Sequence, residues 1–134
     1  MMYLLDTNIC IYIIKKKPPN VLRKFKTLKL GDIGISSITV AELRYGVEKS
    51  KYGARNRRAV EQFLTPLAIA DFDAKAAQTY GQIRATLEAK GTPIGPLDTL
   101  IAAHALSLGV TLVTNNIKEF SRVPGLKLEN WAAI

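Results

Sequence analysis

Short strand-like runs alternate along the chain with segments of helical periodicity, and this alternation restricts the fold more than any other feature. The strand-like runs read MYLLD, DIGISS, LAIADF and VTLVT, with LKLEN as a fifth. Parallel strands need long crossover connections, which are usually helices that cover both faces of the sheet. The pattern therefore predicts an α/β fold with a short parallel sheet of four to five strands.

Two of the helices are visible as apolar stripes separated by a rigid loop. The first stripe ends at Gly91 and consists of Ala76, Tyr80, Ile83 and Leu87. The second ends at Gly109 and consists of Leu97, Ile101, His104 and Leu108. Glycine commonly ends a helix, and the intervening GTPIGP cannot be helical. This spacing predicts Asp98 in the first turn of the second helix.

Length and composition predict one globular domain, residues 1–134. A chain of 134 residues with 48% hydrophobic content can bury one core, and no stretch has the roughly 20 apolar residues of a membrane span. The only cysteine is Cys10, and no secretory leader precedes the first strand, which argues against a disulfide scaffold. We therefore expect a cytoplasmic protein without a membrane partner, and we expect Cys10, His104 and Trp131 to be packing residues.

The chain is basic, with 19 Lys and Arg against 11 Asp and Glu and a formal net charge of +8. Much of this charge lies in two blocks, KKKPPNVLRKFKTLK from Lys15 and KSKYGARNRR from Lys49. A positive surface favours a polyanion such as RNA, although an acidic protein partner or a solvated helix face would also fit.

Asp6 interrupts the apolar run YLLDTNICIYII and needs an explanation. An isolated ionised carboxylate inside a core is shifted to its neutral form or costs several kcal/mol, on the order of the stability of a domain. Ligands of parallel α/β sheets bind beyond the carboxyl ends of the strands, where strand order reverses. Asp6 ends the first strand-like run and is therefore expected at such an edge.

Three further polar residues are predicted at the same edge. Glu42 begins the helix after the second run, Asp98 begins a later helix, and Asn116 follows the fourth run. Each has a local alternative, because Asp6 and Asn116 could cap helices, Thr39 and Glu42 have capping-box spacing, and Asp98 would suit a helix dipole. Ser or Thr would cap equally well, however, and acids are scarce in this chain.

Three converging carboxylates would raise one another's pKa unless a cation neutralised them. Oxygen ligands without His or Cys suit Mg²⁺ or Mn²⁺ and argue against zinc. Such an ion can activate water for attack on a phosphodiester. Asp6, Glu42 and Asp98 thus predict metal-dependent phosphoryl chemistry.

Four ordered segments resemble the PIN-domain toxins of VapBC toxin–antitoxin systems over nearly the whole chain. They are LLDTNICIYIIK, ISSITVAELRYGVEKS, GTPIGPLDTLIAAHALSLG and LVTNNIKEFSRVPGLKLENW. The resemblance implies a three-layer α/β/α fold and a Mg²⁺- or Mn²⁺-dependent endoribonuclease. It also implies inhibition by a VapB-type antitoxin, and a homodimer.

The resemblance assigns roles to individual residues. Asp6 and Asp98 match the principal metal ligands, and Glu42 matches an acid that binds the metal directly or through water. Asn116, the fourth expected catalytic residue, stands where many members have an aspartate. Its amide oxygen can bind a metal or orient a water but adds no negative charge, so a second metal would bind more weakly or only with substrate present, although nearby Glu119 could compensate or form a capping box with Asn116. The TNN…EF pattern resembles a subgroup that cuts initiator tRNA in its anticodon loop, which implies a tRNA substrate.

Two alternatives remain at this point. Asn116 could indicate a catalytically inactive nucleic-acid-binding module that keeps the fold. A phosphoacceptor receiver or an aspartyl phosphatase is disfavoured, because Asp6 is neither one of paired acids nor part of D-x-D. For the antitoxin, we predict a groove formed by Ile9 to Lys29 together with Ala41 to Leu64, where apolar residues have basic edges.

Overall fold

A computed structural model describes residues 1–133 of the chain, and its five strands form one parallel sheet in the order β3-β2-β1-β4-β5. The strands are β1 (Tyr3–Leu5), β2 (Ile33–Ser36), β3 (Ala68–Ala70), β4 (Thr111–Val113) and β5 (Leu128–Glu129). Leu5 of β1 lies opposite Ile35 on one side and Val113 on the other. All five predicted strands are confirmed, and strand order reverses between β1 and β4.

Seven α-helices are present in residues 1–133. They are α1 (Thr7–Lys15), α2 (Pro19–Lys26), α3 (Ser37–Glu48), α4 (Gly53–Leu64), α5 (Ala74–Ala89), α6 (Pro96–Leu108) and α7 (Ile117–Phe120). No helix in this part of the chain is both long and apolar enough to cross a bilayer.

The helices cover both faces of the sheet and produce the predicted three-layer α/β/α architecture. Leu5 packs with the apolar residues of α1, α2, α3 and α4 in one cluster, whereas Leu4 packs with α5 and α6 in the other. Neighbouring residues of a strand project to opposite faces, so these two leucines of β1 belong to separate cores.

The predicted packing residues are buried. Cys10 is inaccessible to solvent in the first core, and the Trp131 ring packs edge-on against Tyr3 with 5.7 Å between ring centroids. His104 is buried on α6, where its Nδ1 lies 2.7 Å from Ser36 Oγ. The hydroxyl connects the start of α3 to α6, which supports the structural interpretation of His104.

The two predicted apolar stripes are largely buried, but the first and last residues of the α6 stripe are exposed. In α5, Ala76, Ile83 and Leu87 are buried, as predicted. In α6, Leu97 and Leu108 are 46% and 42% exposed, although helical spacing placed them in the core. Both lie in the terminal turns of α6. Periodicity identifies the direction of a side chain but cannot show whether another element covers it.

Candidate active site

Asp6 lies where β1 ends and α1 begins. Its Oδ1 accepts a hydrogen bond from the backbone N–H of Ile9 at 2.9 Å, so the predicted helix cap is confirmed. The backbone N–H of Asp6 donates to the carbonyl of Val113 at 3.0 Å. This bond joins the start of α1 to the end of β4, and it fixes Asp6 at the position where strand order reverses.

Asp6 is buried more deeply than capping requires. Its exposure is 4%, and burial raises its pKa to about 6. Hydrogen bonds from the Thr114 hydroxyl and the Ile9 N–H oppose that rise, whereas the charge of Glu42 adds to it. A buried carboxylate with a raised pKa lacks a compensating positive charge.

Glu42 is held by α1 and does not cap its own helix, so the capping-box prediction is wrong. Ser36 is the N-cap of α3, and its Oγ accepts from the Ile38 N–H at 3.0 Å. Glu42 Oε1 instead accepts from the Thr7 hydroxyl at 2.7 Å. Thr39 is buried within α3 and lies 3.3 Å from the same hydroxyl. Two residues that are three apart within a helix also lie on the same helix face, so the spacing of Thr39 and Glu42 resembles a capping box although neither residue is at the helix start.

Asp98 occupies the first turn of α6, as predicted, with Gly95 as the N-cap. It is half-buried, and its pKa rises to about 6. The largest cause is burial, and the next causes are the charges of Glu119, Asp6 and Glu42 in that order. The charges of Asp6 and Glu42 therefore act on Asp98 from elements that are distant in the sequence.

Asn116 precedes α7, but its side chain makes no capping bond to that helix. Its Nδ2 donates to Glu119 Oε2 at 2.7 Å, and its backbone N–H donates to the Thr114 hydroxyl at 2.9 Å. Glu119 Oε1 accepts from the Gly95 N–H at 3.0 Å, the main cause that lowers its pKa. The charge of Glu119 in turn raises the pKa of Asp98. Asn116 therefore positions Glu119, and Glu119 connects α7 to the start of α6.

Three predicted acids line one open cleft of about 600 Å³, which we call the acidic cleft. Its walls come from α1, α3 and α6, and the residues that line it are Asp6, Thr7, Asn8, Ile11, Ile38, Ala41, Glu42, Tyr45, Gly46, Lys49, Leu97 and Asp98. In residues 1–133, Asn116 and Glu119 lie outside this lining, and Glu119 acts on the cleft through its negative charge, which raises the pKa of Asp98. Sequence reasoning omitted Tyr45, although its spacing of three residues from Glu42 was a usable signal.

The cleft fits a hard divalent cation by its chemistry. Asp6, Glu42 and Asp98 offer oxygen ligands, and none of the ion pairs formed within residues 1–133 involves them. No group of three or more acidic, His or Cys side chains in that range is already gathered as a metal site. Mg²⁺ commonly retains several waters and takes few protein ligands, so separated acids remain compatible with it.

The comparisons with known proteins agree with this fold. The PIN domain matches residues 3–126, and the chain belongs to the PIN domain family. It is 50% identical over 129 residues to the tRNA(fMet)-specific endonuclease VapC of Salmonella typhimurium, covering 96% of this chain and 97% of the relative. It is 52% identical over 132 residues to ribonuclease VapC2 of Rickettsia felis, covering 98% of each.

A solved structure extends the similarity to three dimensions. The DNA-bound VapBC of Salmonella typhimurium contains a chain with a TM-score of 0.93 and 48% identity, and the match covers 98% of each chain. The resemblance to VapC toxins that the sequence motifs indicate is therefore confirmed.

Proposed function

We propose that this chain is the toxin of a type II toxin–antitoxin system, acting in the cytoplasm as a single-domain, divalent-metal-dependent endoribonuclease. The observation that carries the proposal is the acidic cleft. Asp6 at the start of α1, Glu42 on α3 and Asp98 on α6 all line it. Relatives that are 50% and 52% identical are named as an RNA endonuclease and a ribonuclease, which supports RNA as the substrate.

In the proposed site, Asp6 and Asp98 bind Mg²⁺ or Mn²⁺, and Glu42 binds it directly or through water. The bound ion would lower the pKa of water and stabilise negative charge on the phosphodiester. The protein contributes orientation: Thr7 holds Glu42, Thr114 holds Asp6, and the Asn116–Glu119 pair holds the start of α6. Asn116 acts through Glu119 and is therefore a positioning residue.

For the substrate we propose tRNA, and specifically the anticodon loop of initiator tRNA. The support is the relative named as tRNA(fMet)-specific, together with the TNN…EF pattern that suggested this subgroup. The lysines and arginines of the two basic blocks would contact the phosphate backbone, Lys49 from the lining of the acidic cleft and the others from outside it.

For the antitoxin we propose an apolar groove formed by α1, α3 and α4. It is lined by Ile11, Ile14, Lys15, Glu42, Leu43, Gly46, Val47, Asn56, Ala59 and Val60. These residues fall within the ranges predicted from sequence, although α2 contributes none of them. Ile11, Glu42 and Gly46 also line the acidic cleft, so the groove continues into it. A segment bound there could extend a basic side chain to the acids. The structural relative, a VapBC complex, supports such a partner.

The test is cleavage of total bacterial RNA by the wild type and by Asp6→Asn, with Mg²⁺, Mn²⁺ or EDTA. Asparagine keeps the helix cap but removes the charge, so activity should fall about 10³-fold if Asp6 binds the metal. Sequencing should reveal discrete 5′-phosphate ends that EDTA abolishes. Asp73→Asn is the matched control, because Asp73 caps α5 in the same way but does not line the cleft.

Two results would contradict the proposal. Products with 2′,3′-cyclic phosphate would indicate attack by the ribose hydroxyl instead of water. If wild type and Asp6→Asn bound RNA equally and neither cleaved it at any metal concentration, the inactive binding module would replace the nuclease.

A further inference from the structure

One wall of the acidic cleft carries an exposed aromatic ring that the proposed metal chemistry does not use. Tyr45 lies three residues after Glu42 on α3, so both side chains project from the same helix face, about 4.5 Å apart along its axis. The Tyr45 side chain is 65% exposed and lines the cleft together with Asp6 and Asp98. A large aromatic residue therefore lies open to solvent beside the acids.

A cation accompanies this ring. The Lys49 ammonium nitrogen lies 5.1 Å from the centroid of the Tyr45 ring, and Lys49 also lines the cleft. No ion pair within residues 1–133 uses Lys49, so its charge is available for a phosphate. Leu97, 46% exposed and adjacent to Asp98, adds apolar surface from α6.

An aromatic ring beside a positive charge is the combination by which proteins bind single-stranded nucleic acid. The base stacks on the ring and the backbone phosphate pairs with the cation. A paired base is not available, because it remains stacked within its own helix. A protein contact would use the exposed ring equally well, but it would not explain a lysine that lines a cleft with carboxylates and makes no ion pair within residues 1–133.

We propose that Tyr45 and Lys49 form a binding site for one unpaired nucleotide next to the phosphate that is cut. Tyr45 stacks on the base, and Lys49 binds a neighbouring phosphate. The site restricts cleavage to loops and single strands. This inference rests on the proposed nuclease function and adds a substrate requirement to it.

The chain offers a matched control at Tyr52. Its side chain is 59% exposed, and the Lys51 ammonium nitrogen lies 5.8 Å from its ring centroid. Neither Tyr52 nor Lys51 lines the acidic cleft. The two tyrosine–lysine pairs therefore have similar exposure and chemistry and differ in location.

The first experiment measures kcat/KM on an initiator-tRNA anticodon stem-loop with Mg²⁺. Stacking of one base typically contributes enough that Tyr45→Ala should lower kcat/KM about 10-fold or more. Tyr45→Phe keeps the ring and should recover most of the activity, whereas Tyr52→Ala should change it less than about 2-fold. Equal effects of Tyr45→Ala and Tyr52→Ala would overturn the proposal.

A second experiment identifies the base, by placing one abasic nucleotide at each loop position in turn. At the stacked position, the abasic RNA should lower wild-type kcat/KM about 10-fold, and Tyr45→Ala should lose nothing further. If the loss from the abasic nucleotide and the loss from Tyr45→Ala multiplied at every loop position, Tyr45 would not contact a base. A changed oligomeric state or antitoxin affinity of Tyr45→Ala, with unchanged kcat/KM, would instead assign the ring to a protein interface.

Binding in EDTA separates this inference from the nuclease proposal. If the wild type never cleaves but Tyr45→Ala weakens binding of the same stem-loop about 10-fold, the stacking site stands and the nuclease fails. If the wild type cleaves and Tyr45→Ala cleaves equally well, the nuclease stands and the stacking site fails.

Discussion

Asp6 and Asp73 perform the same local task in two different regions of the molecule. Each begins a helix, and its Oδ1 accepts from the backbone N–H three residues later, at 2.9 Å for Ile9 and 3.0 Å for Ala76. Asp73 is exposed, whereas Asp6 is buried beneath the acidic cleft. Capping therefore explains why an aspartate can stand at either position. It does not explain why Asp6 is buried. Burial of this carboxyl costs stability, and it is the feature that distinguishes the cleft residue from an ordinary helix cap.

The largest effect should come from Asp98, which is half-buried in the same cleft as Asp6 but does not cap its helix. Asp98→Asn should lower kcat about 10³-fold in Mg²⁺, because loss of a metal-binding carboxylate removes several kcal/mol, roughly 4, of transition-state stabilisation. Single-turnover cleavage measures this directly. If Asp98→Asn lowered kcat less than Asp73→Asn does, the buried acids would be no more important for cleavage than the exposed helix cap.

The comparison also predicts how the metal-free protein responds to pH. Folded Asp6 keeps its proton until about pH 6, whereas its ordinary pKa is 3.8. As pH rises between these values, the unfolded chain has already released the proton, so stability falls and then levels off above pH 6. Asp98 acts in the same direction.

The expected decrease from pH 4 to pH 7 is about 2 to 3 kcal/mol from Asp6 alone, because a tenfold difference in proton affinity corresponds to about 1.4 kcal/mol. Urea unfolding in EDTA measures it. Asp6→Asn should flatten the profile and make the protein more stable at pH 7, and Asp73→Asn should leave the profile in place. A stability that rises over this range in the wild type would contradict the assignment.

A smaller effect distinguishes the two buried acids from each other. The charge of Glu119 is the second cause that raises the pKa of Asp98, but it is not among the causes for Asp6. Glu119→Gln should therefore lower the pKa of Asp98 and leave that of Asp6 unchanged. Carbon-detected NMR titration of the metal-free protein reports both carboxyls. Equal movement of both would show that the acids respond to the net charge of the protein and not to a local contact.

The smallest effect belongs to the exposed cap. Asp73→Ala removes the hydrogen bond to Ala76 and should lower the free energy of unfolding by about 1 kcal/mol. Cleavage activity should stay at the wild-type level, since Asp73 does not line the cleft. Urea unfolding and RNA cleavage on the same preparation test both statements. Loss of activity without loss of stability would mean that α5 participates in the chemistry.

The sequence predicts the fold well because the fold depends on short-range signals. Each strand-like run became a strand, since a parallel sheet needs buried β-like segments separated by helices. Asp6 and Asp98 were placed correctly relative to their helices because glycine, proline and the ends of apolar runs mark those boundaries. Their proximity in space followed from the general rule for parallel sheets.

The contacts between side chains were less predictable. For Glu42, the capping box was the local alternative to a metal-binding role, and the structure instead shows that it accepts a hydrogen bond from Thr7, 35 residues earlier. Asn116 was interpreted as a cap, whereas it donates to Glu119. Several acceptors lie within reach of a flexible side chain, and packing selects among them. Local spacing carries no information about a partner on another helix.

The link between β1 and β4 determines when during synthesis the site can exist. Asp6, Glu42 and Asp98 all precede β4 in the chain, yet Asp6 is fixed by the carbonyl of Val113 and by the Thr114 hydroxyl. A nascent chain that has not yet released β4 contains every proposed metal ligand and still cannot hold them in place. The site would therefore form only after β4 has left the ribosome and paired with β1.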